Sequence, residues 1–180
     1  MNRALNNRQD IEQEMVQSKL EKLVVELARQ AQLKRIRIAT AESCTGGWVA
    51  QELTALAGSS EWFECGFITY SNEAKQSMLS VPQELFCTEG AVSKAVVIAM
   101  ALGAVQNSRA DLSVSISGVA GPGGGSPEKP VGTVWLAWYL EGNEVESRCY
   151  HFPGERSEVR QQAVEQAIKG LIKQLSKSTV

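Results

Sequence analysis

"RIRIATAESCTGGWVAQEL", residues 35–53, contains the change of rhythm that decides the fold. Its first six residues alternate basic and apolar side chains, the period of a strand. Beyond Gly46 and Gly47, the residues Trp48, Val49 and Leu53 share one face of a helix. Between the two lie Glu42, Ser43, Cys44 and Thr45. A strand that turns through glycines into a helix is the opening of an α/β unit. Thr45 is placed to cap that helix through its hydroxyl.

Upstream, residues 10–34 repeat apolar positions at helical steps through Val16, Leu20, Leu23, Leu27 and Ala31. The first ten residues are polar and are expected to fray. Downstream, "EWFECGFITYS" reads as a strand and "NEAKQSML" as a short helix, and "SVPQELFCTEG" is a connection with room for another turn. "SKAVVIAMALGAVQNS" is a helix apolar on most sides, so it is expected to be buried. "DLSVSISG" is a strand, and "TVWLAWYLEGNEVESRCYHF" is a hairpin turning at "EGN". From Gly154 the tail is an amphipathic helix with Val164, Ala167, Ile168, Leu171, Ile172 and Leu175 on one side. The hairpin requires antiparallel strands beside the α/β units, so the pattern predicts a three-layer αβα sandwich with a mixed sheet. It predicts a single domain, with residues 1–34 as a helical segment packed on residues 35–180.

Composition excludes several classes of function. The 180 residues carry 18 basic and 20 acidic side chains, a net charge of −2, so no general field draws in nucleic acid or an anionic membrane. No apolar run is long enough to span a bilayer, and "MNRALNNRQDIEQEMV" has no signal-peptide core. A cytoplasmic protein without nucleic-acid or membrane partners is expected. The four cysteines, Cys44, Cys65, Cys87 and Cys149, form no C-x-x-C pair. The single histidine, His151, lies in a strand-like stretch, which speaks against histidine-rich metal sites and a Ser-His-Asp triad. The long first helix and the tryptophans Trp48, Trp62, Trp135 and Trp138 supply either core or an interface, which leaves a homo-oligomer open.

Four stretches offer chemistry. Ser43 stands where free N–H groups at a helix start hold a phosphate or an oxyanion. A plain helix cap satisfies the same corner. A serine nucleophile needs a base, and a buried lysine serves. "ITYSNEAK" supplies Tyr70 and Lys75, which reach Ser43 if their strand lies beside "RIRIAT". The loop "GVAGPGGGSPEKPVG", residues 118–132, is neither a Walker A motif nor a dinucleotide fingerprint, yet its glycines permit close approach to an anion. Its "SPEK", Ser126 to Lys129, matches S-x-x-K by spacing alone, flanked by prolines that deny it the helix turn. Arg156 and Arg160 lie four residues apart at the start of the last helix, on one face, as for an anion or for surface ion pairs.

"TAESCTGGWVA", "GFITYSNEAK", "SISGVAGPGGGSPEKPVGTVW" and "GERSEVR", in this order, resemble the nicotinamide-nucleotide amidases, the domain also found at the C-terminus of CinA proteins. The resemblance runs from Thr40 to Arg160. It implies hydrolysis of the carboxamide of nicotinamide mononucleotide to nicotinic acid mononucleotide and ammonia, in pyridine-nucleotide salvage, with no cofactor and no metal. The catalytic group it implies is Ser43 as nucleophile with Lys75 and Tyr70 as base. Ser117, Gly118, Gly121, Gly124 and Arg156 fall at the substrate pocket. Thr45, Gly46 and Gly47 fall at the helix start that would face the oxyanion, and Glu42 is placed to balance the cationic ring. Cys44 is the rival nucleophile. A non-catalytic nucleotide-binding or regulatory module using the same loops is the alternative reading.

Overall fold

The computed structural model describes residues 3–177, with side chains described for Met15 and from Lys19 onward. Five strands form one sheet: β1 (Ile38–Glu42), β2 (Phe63–Ile68), β3 (Leu112–Gly118), β4 (Thr133–Leu140) and β5 (Glu146–His151). Their order is β2-β1-β3-β4-β5. β1 pairs parallel with β2 and β3, while β4 runs antiparallel to β3 and β5. The helices are α1 (Arg3–Lys34), α2 (Trp48–Ala55), α3 (Asn72–Leu79), α4 (Gln83–Thr88), α5 (Lys94–Gln106) and α6 (Arg156–Lys177). The sandwich is the expected one, with a mixed, open sheet.

Alternation along the strands sorts the two faces. Ile38, Leu112, Val114, Ile116, Leu136 and Trp138 meet α1, α2 and α6 in the larger core. Ala39 and Ala41 meet Val96, Met100 and Ala104 of α5 on the other face, with Leu79 of α3. That second face is built of small residues, so α5 lies close to the sheet. Ser113 and Ser115 donate to the carbonyls of Ala101 and Val97 at 2.7 and 2.6 Å, stitching β3 to α5. This explains why α5 is apolar nearly all round: the sheet covers one side, and α3 and α4 cover others.

α1 packs along α6 through Leu20, Val24, Leu27, Ala28 and Ala31, all buried. Lys19 pairs with Glu165 at 2.8 Å, and Ser176 donates to Gln30 at 3.3 Å. The two contacts are equally spaced along each helix, so α1 and α6 run parallel. α1 begins at Arg3 rather than near Asp10, and the side chain of Val16 lies outside the described residues. Trp62 and Trp138 belong to the core, while Trp48 is half-buried against it. The connection after α3 contains α4, which the sequence pattern did not resolve.

The topology fixes where a ligand would meet the sheet. The chain leaves β1 towards β2 on one side, and later enters β3 on the other. With right-handed crossovers this reversal puts α2 and α5 on opposite faces, and a crevice opens at the carboxyl ends of β1 and β3. Ser43 follows β1, and the glycine loop follows β3.

Candidate active site

The corner after β1 is built from a carboxylate. Glu42, fully buried, ends β1, and its side chain turns back onto the start of α2. Oε2 accepts from the amides of Gly47 and Val49 at 3.0 and 3.1 Å, and Oε1 accepts from Ala50 at 2.9 Å. This satisfies N–H groups that a helix start leaves open and places an anion at the positive end of the dipole. Two expectations change as a result. Glu42 caps α2 and is not free to face a ligand's ring. The N-terminus of α2 is already occupied by an anion, so it has no room for a phosphate.

The expected cap by Thr45 does not form. Its hydroxyl is buried without a hydrogen-bond partner among the described residues, and α2 has no side-chain cap from Gly47. Gly46 and Gly47 carry the turn at φ of +62° and +94°. The positive φ of Gly47 demands glycine, and a methyl there would also lie 2.8 Å from Cδ1 of the exposed Ile68, which would have to shift.

Ser43 and Lys75 come together. The parallel pairing of β1 with β2 sets Glu42 beside Ile68, and the Thr69 amide donates to Glu42 O at 2.8 Å. The chain then caps α3 with Ser71, whose Oγ accepts from the Ala74 amide at 3.0 Å. One turn into α3, Lys75 points under the sheet edge and is only 1% exposed. Its Nζ donates to Ser43 Oγ at 3.0 Å and to the carbonyl of Thr69 at 2.8 Å. Burial lowers the Lys75 pKa, the weaker pull of Cys44 and Glu73 notwithstanding, which makes the neutral amine easier to reach than for an exposed lysine. Ser43 is 9% exposed. A buried amine of lowered basicity against a serine hydroxyl is the arrangement that activates a serine without histidine.

Tyr70 is not part of that pair. It is 61% exposed, and among the described residues its hydroxyl bonds to neither Lys75 nor Ser43. It accepts instead from Arg156 Nη2 at 2.9 Å, while Arg156 Nη1 donates to the carbonyl of Gly121 at 2.7 Å. Arg156 therefore ties the β2–α3 connection to the glycine loop across the crevice.

The other candidates fall as follows. Ser117 is buried, and its Oγ donates to Ala91 O at 2.8 Å, so its hydroxyl already has an acceptor within the fold. Gly118 lets β4 approach: a methyl there would lie 2.8 Å from Thr133 O. Gly124 is exposed in the loop. Ser126 and Lys129 form a turn rather than a dyad, with Lys129 Nζ donating to Glu89 O at 2.6 Å. His151 is exposed on β5, its Nδ1 3.3 Å from Thr133 Oγ1. Burial pushes the Cys44 thiol up to about 11, only partly offset by its own amide and by Arg160 and Lys75, which argues against a cysteine nucleophile. A cleft of about 380 Å³ lies at the opposite edge of the sheet, beside Leu140, Asn143 and Gln174. Glu146 there is held by Lys173, Lys177 and Gln174, and the Ser43–Lys75 contact is elsewhere.

The sequence pattern passed over two features. Arg160, noted only as a companion of Arg156, donates from Nε to Cys44 O at 3.1 Å and from Nη2 to Thr45 O at 2.7 Å. Its guanidinium lies 5.2 Å from the centre of the Trp48 ring. The amide of Gly46, expected to face an oxyanion, donates to Ser43 O at 3.0 Å. At this corner, among the described residues, it is the amides of Cys44 and Thr45 that donate to no other residue.

Fold and site define an α/β protein with a serine–lysine pair at the switch point of its sheet. The CinA C-terminal domain family model matches residues 6–175, and the chain belongs to that family. The nicotinamide-nucleotide amidohydrolase PncC of Escherichia coli (strain K12) is 49% identical over 165 residues, 92% of this chain and 100% of that protein. The protein of the same name from Pseudomonas putida is 54% identical over 136 residues, 76% of this chain and 84% of its own. The crystal structure of the competence/damage inducible protein CihA from Agrobacterium tumefaciens superposes with a TM-score of 0.85 at 42% identity, covering 88% of this chain and 96% of that one.

Proposed function

We propose that this protein hydrolyses the carboxamide of nicotinamide mononucleotide, releasing ammonia and nicotinic acid mononucleotide, by a serine route, and that it serves pyridine-nucleotide salvage. The observation that carries the route is the 3.0 Å contact between Lys75 Nζ and Ser43 Oγ in a buried setting. The amidohydrolase names borne by relatives that match 92% and 76% of the chain support the substrate.

The chemistry follows from counting hydrogens. A neutral amine has two N–H groups and one lone pair. One N–H keeps the bond to Thr69 O, and the lone pair faces Ser43, whose O–H then donates across the same gap. Ser43 Oγ attacks the carboxamide carbon while Lys75 takes its proton. The carbonyl oxygen becomes an oxyanion, received by the amides of Cys44 and Thr45, which donate to no other described residue. Collapse breaks the C–N bond, and Lys75 returns the proton to the departing nitrogen, which leaves as ammonia. Water adds to the ester with Lys75 again as base, and the acid leaves as Ser43 is restored. Arg156, with Tyr70 and the Gly121 carbonyl on the rim, receives the phosphate.

The test is ammonia release from nicotinamide mononucleotide in the presence of EDTA, for the wild type and Ser43→Ala. Release by the wild type and a loss of more than about 10³-fold in the variant are expected. Binding without release would instead favour the nucleotide-binding module.

A further inference from the structure

The reaction outlined above leaves Arg160 without a task, yet its contacts converge on the backbone beside the nucleophile. It spans two successive carbonyls, those of Cys44 and Thr45, at 3.1 and 2.7 Å. It is half-buried, and the Trp48 ring stacks under it at 5.2 Å. A guanidinium can do both at once because it is planar and forked, whereas an ammonium cannot.

A peptide unit is planar and trans, so each carbonyl points opposite to the N–H that follows it. Drawing Cys44 O towards α6 therefore turns the Thr45 N–H away from α6. A cationic partner on the oxygen also shifts charge through the amide and makes that N–H a stronger donor. The Thr45 N–H is one of two amides at this corner that donate to no other residue. Thr45 is fully buried and Cys44 nearly so. Buried amides are rarely left without an acceptor. Two of them directly after a buried serine are placed to serve an acceptor that arrives with the substrate.

We infer that Arg160 is a positioning residue for the oxyanion site: it fixes and polarises the Cys44–Thr45 peptide unit so that its N–H, beside that of Cys44, holds the charge formed on serine attack. This rests on Ser43 being the nucleophile of the proposed amidase. It also separates two arginines one helical turn apart, Arg156 acting on substrate binding and Arg160 on the chemical step.

Two measurements on the full chain test it. The first is steady-state ammonia release. Arg160→Met lowers kcat about 30- to 100-fold with KM changed less than about 3-fold, somewhat below the cost of deleting an oxyanion donor outright. Arg160→Lys, which can reach one carbonyl at a time, falls between Met and wild type, and added guanidinium partly restores kcat of Arg160→Ala. Arg156→Met shows the opposite split, a raised KM. The second measurement is labelling of Ser43 by a fluorophosphonate, followed by intact mass, which needs the activated serine and oxyanion site but not the natural substrate. Arg160→Met slows labelling at least 10-fold. Equal labelling of wild type and Arg160→Met, or no labelling of the wild type, overturns the inference whatever the outcome with nicotinamide mononucleotide. A change in KM alone, or no guanidinium rescue with Lys equal to Met, overturns it too. Labelling that follows the inference, with no ammonia released, overturns only the choice of substrate. If Arg160→Met proves unfolded by circular dichroism, the Lys variant carries both readouts.

Discussion

Replacing Lys75 by methionine separates catalysis from stability in opposite directions. The side chain is 1% exposed, and methionine is close to it in length and bulk, so no large cavity opens. Two hydrogen bonds are lost, to Ser43 Oγ and Thr69 O, at about 1 kcal/mol each. Against this, the folded protein no longer has to bury an amine whose charged form burial disfavours. The sign depends on pH. The native pKa lies below the ordinary lysine value of 10.5, so between the two values the unfolded chain binds the extra proton and wild-type stability rises with pH. Below the native pKa the burial penalty is present in full, and above the unfolded value it is gone. The variant therefore compares best with wild type at neutral pH and progressively less well as the pH approaches 10.5. Activity behaves differently. Loss of the base costs about 10³–10⁴-fold in turnover, about 4 to 5.5 kcal/mol at 1.36 kcal/mol per decade. Urea unfolding at pH 7 and pH 9.5, alongside ammonia release, reads both quantities. A variant keeping more than a tenth of wild-type turnover would refute the role of Lys75. A stability difference that does not change with pH would refute the account of its burial.

Glu42→Gln leaves one oxygen to serve three amides and turns an NH2 group towards them, so unfolding free energy falls by about 2–4 kcal/mol. An unchanged urea midpoint at pH 7 counts against the capping role. Gly47→Ala forces a side chain into φ +94° and against Ile68, which costs about 1–3 kcal/mol and appears as a lowered Tm. Iodoacetamide at pH 8 leaves activity intact, because the Cys44 thiol titrates at about 11 in its buried site while Cys87 is exposed. Peptide mapping that finds Cys44 labelled in step with inactivation contradicts this.

The strands, the hairpin and the two long amphipathic helices were legible because each carries one period over many residues. α4 was not, since six residues around Phe86 and Cys87 show no period to read. The meeting of Ser43 with Lys75 was legible on one condition, that β2 lies beside β1, and the parallel register meets it. Tyr70 shows the limit of that reasoning. It shares the connection with Lys75, but local spacing does not reveal that Arg156, 86 residues later, turns its hydroxyl outward. Glu42 was misjudged for a related reason. An acid before a helix reads as available, whereas the structure folds it back on amides five to eight residues ahead. The resemblance put Ser117 at the substrate pocket, and only the fold reveals that its hydroxyl donates to the carbonyl of Ala91, in the segment before α5.

The acceptor that holds the amine of Lys75 in place is a main-chain oxygen, that of Thr69. No substitution can delete it, and the hydroxyl of the same residue has no hydrogen-bond partner among the described residues. Position 69 should therefore accept valine readily, so a scan of side chains would score it as unimportant. What the amine cannot tolerate is a change in path length: adding or removing a single residue between Ile68 and Ser71 would carry the oxygen away from it. At this point the enzyme's sensitivity is written in the spacing of the chain rather than in the identity of its letters.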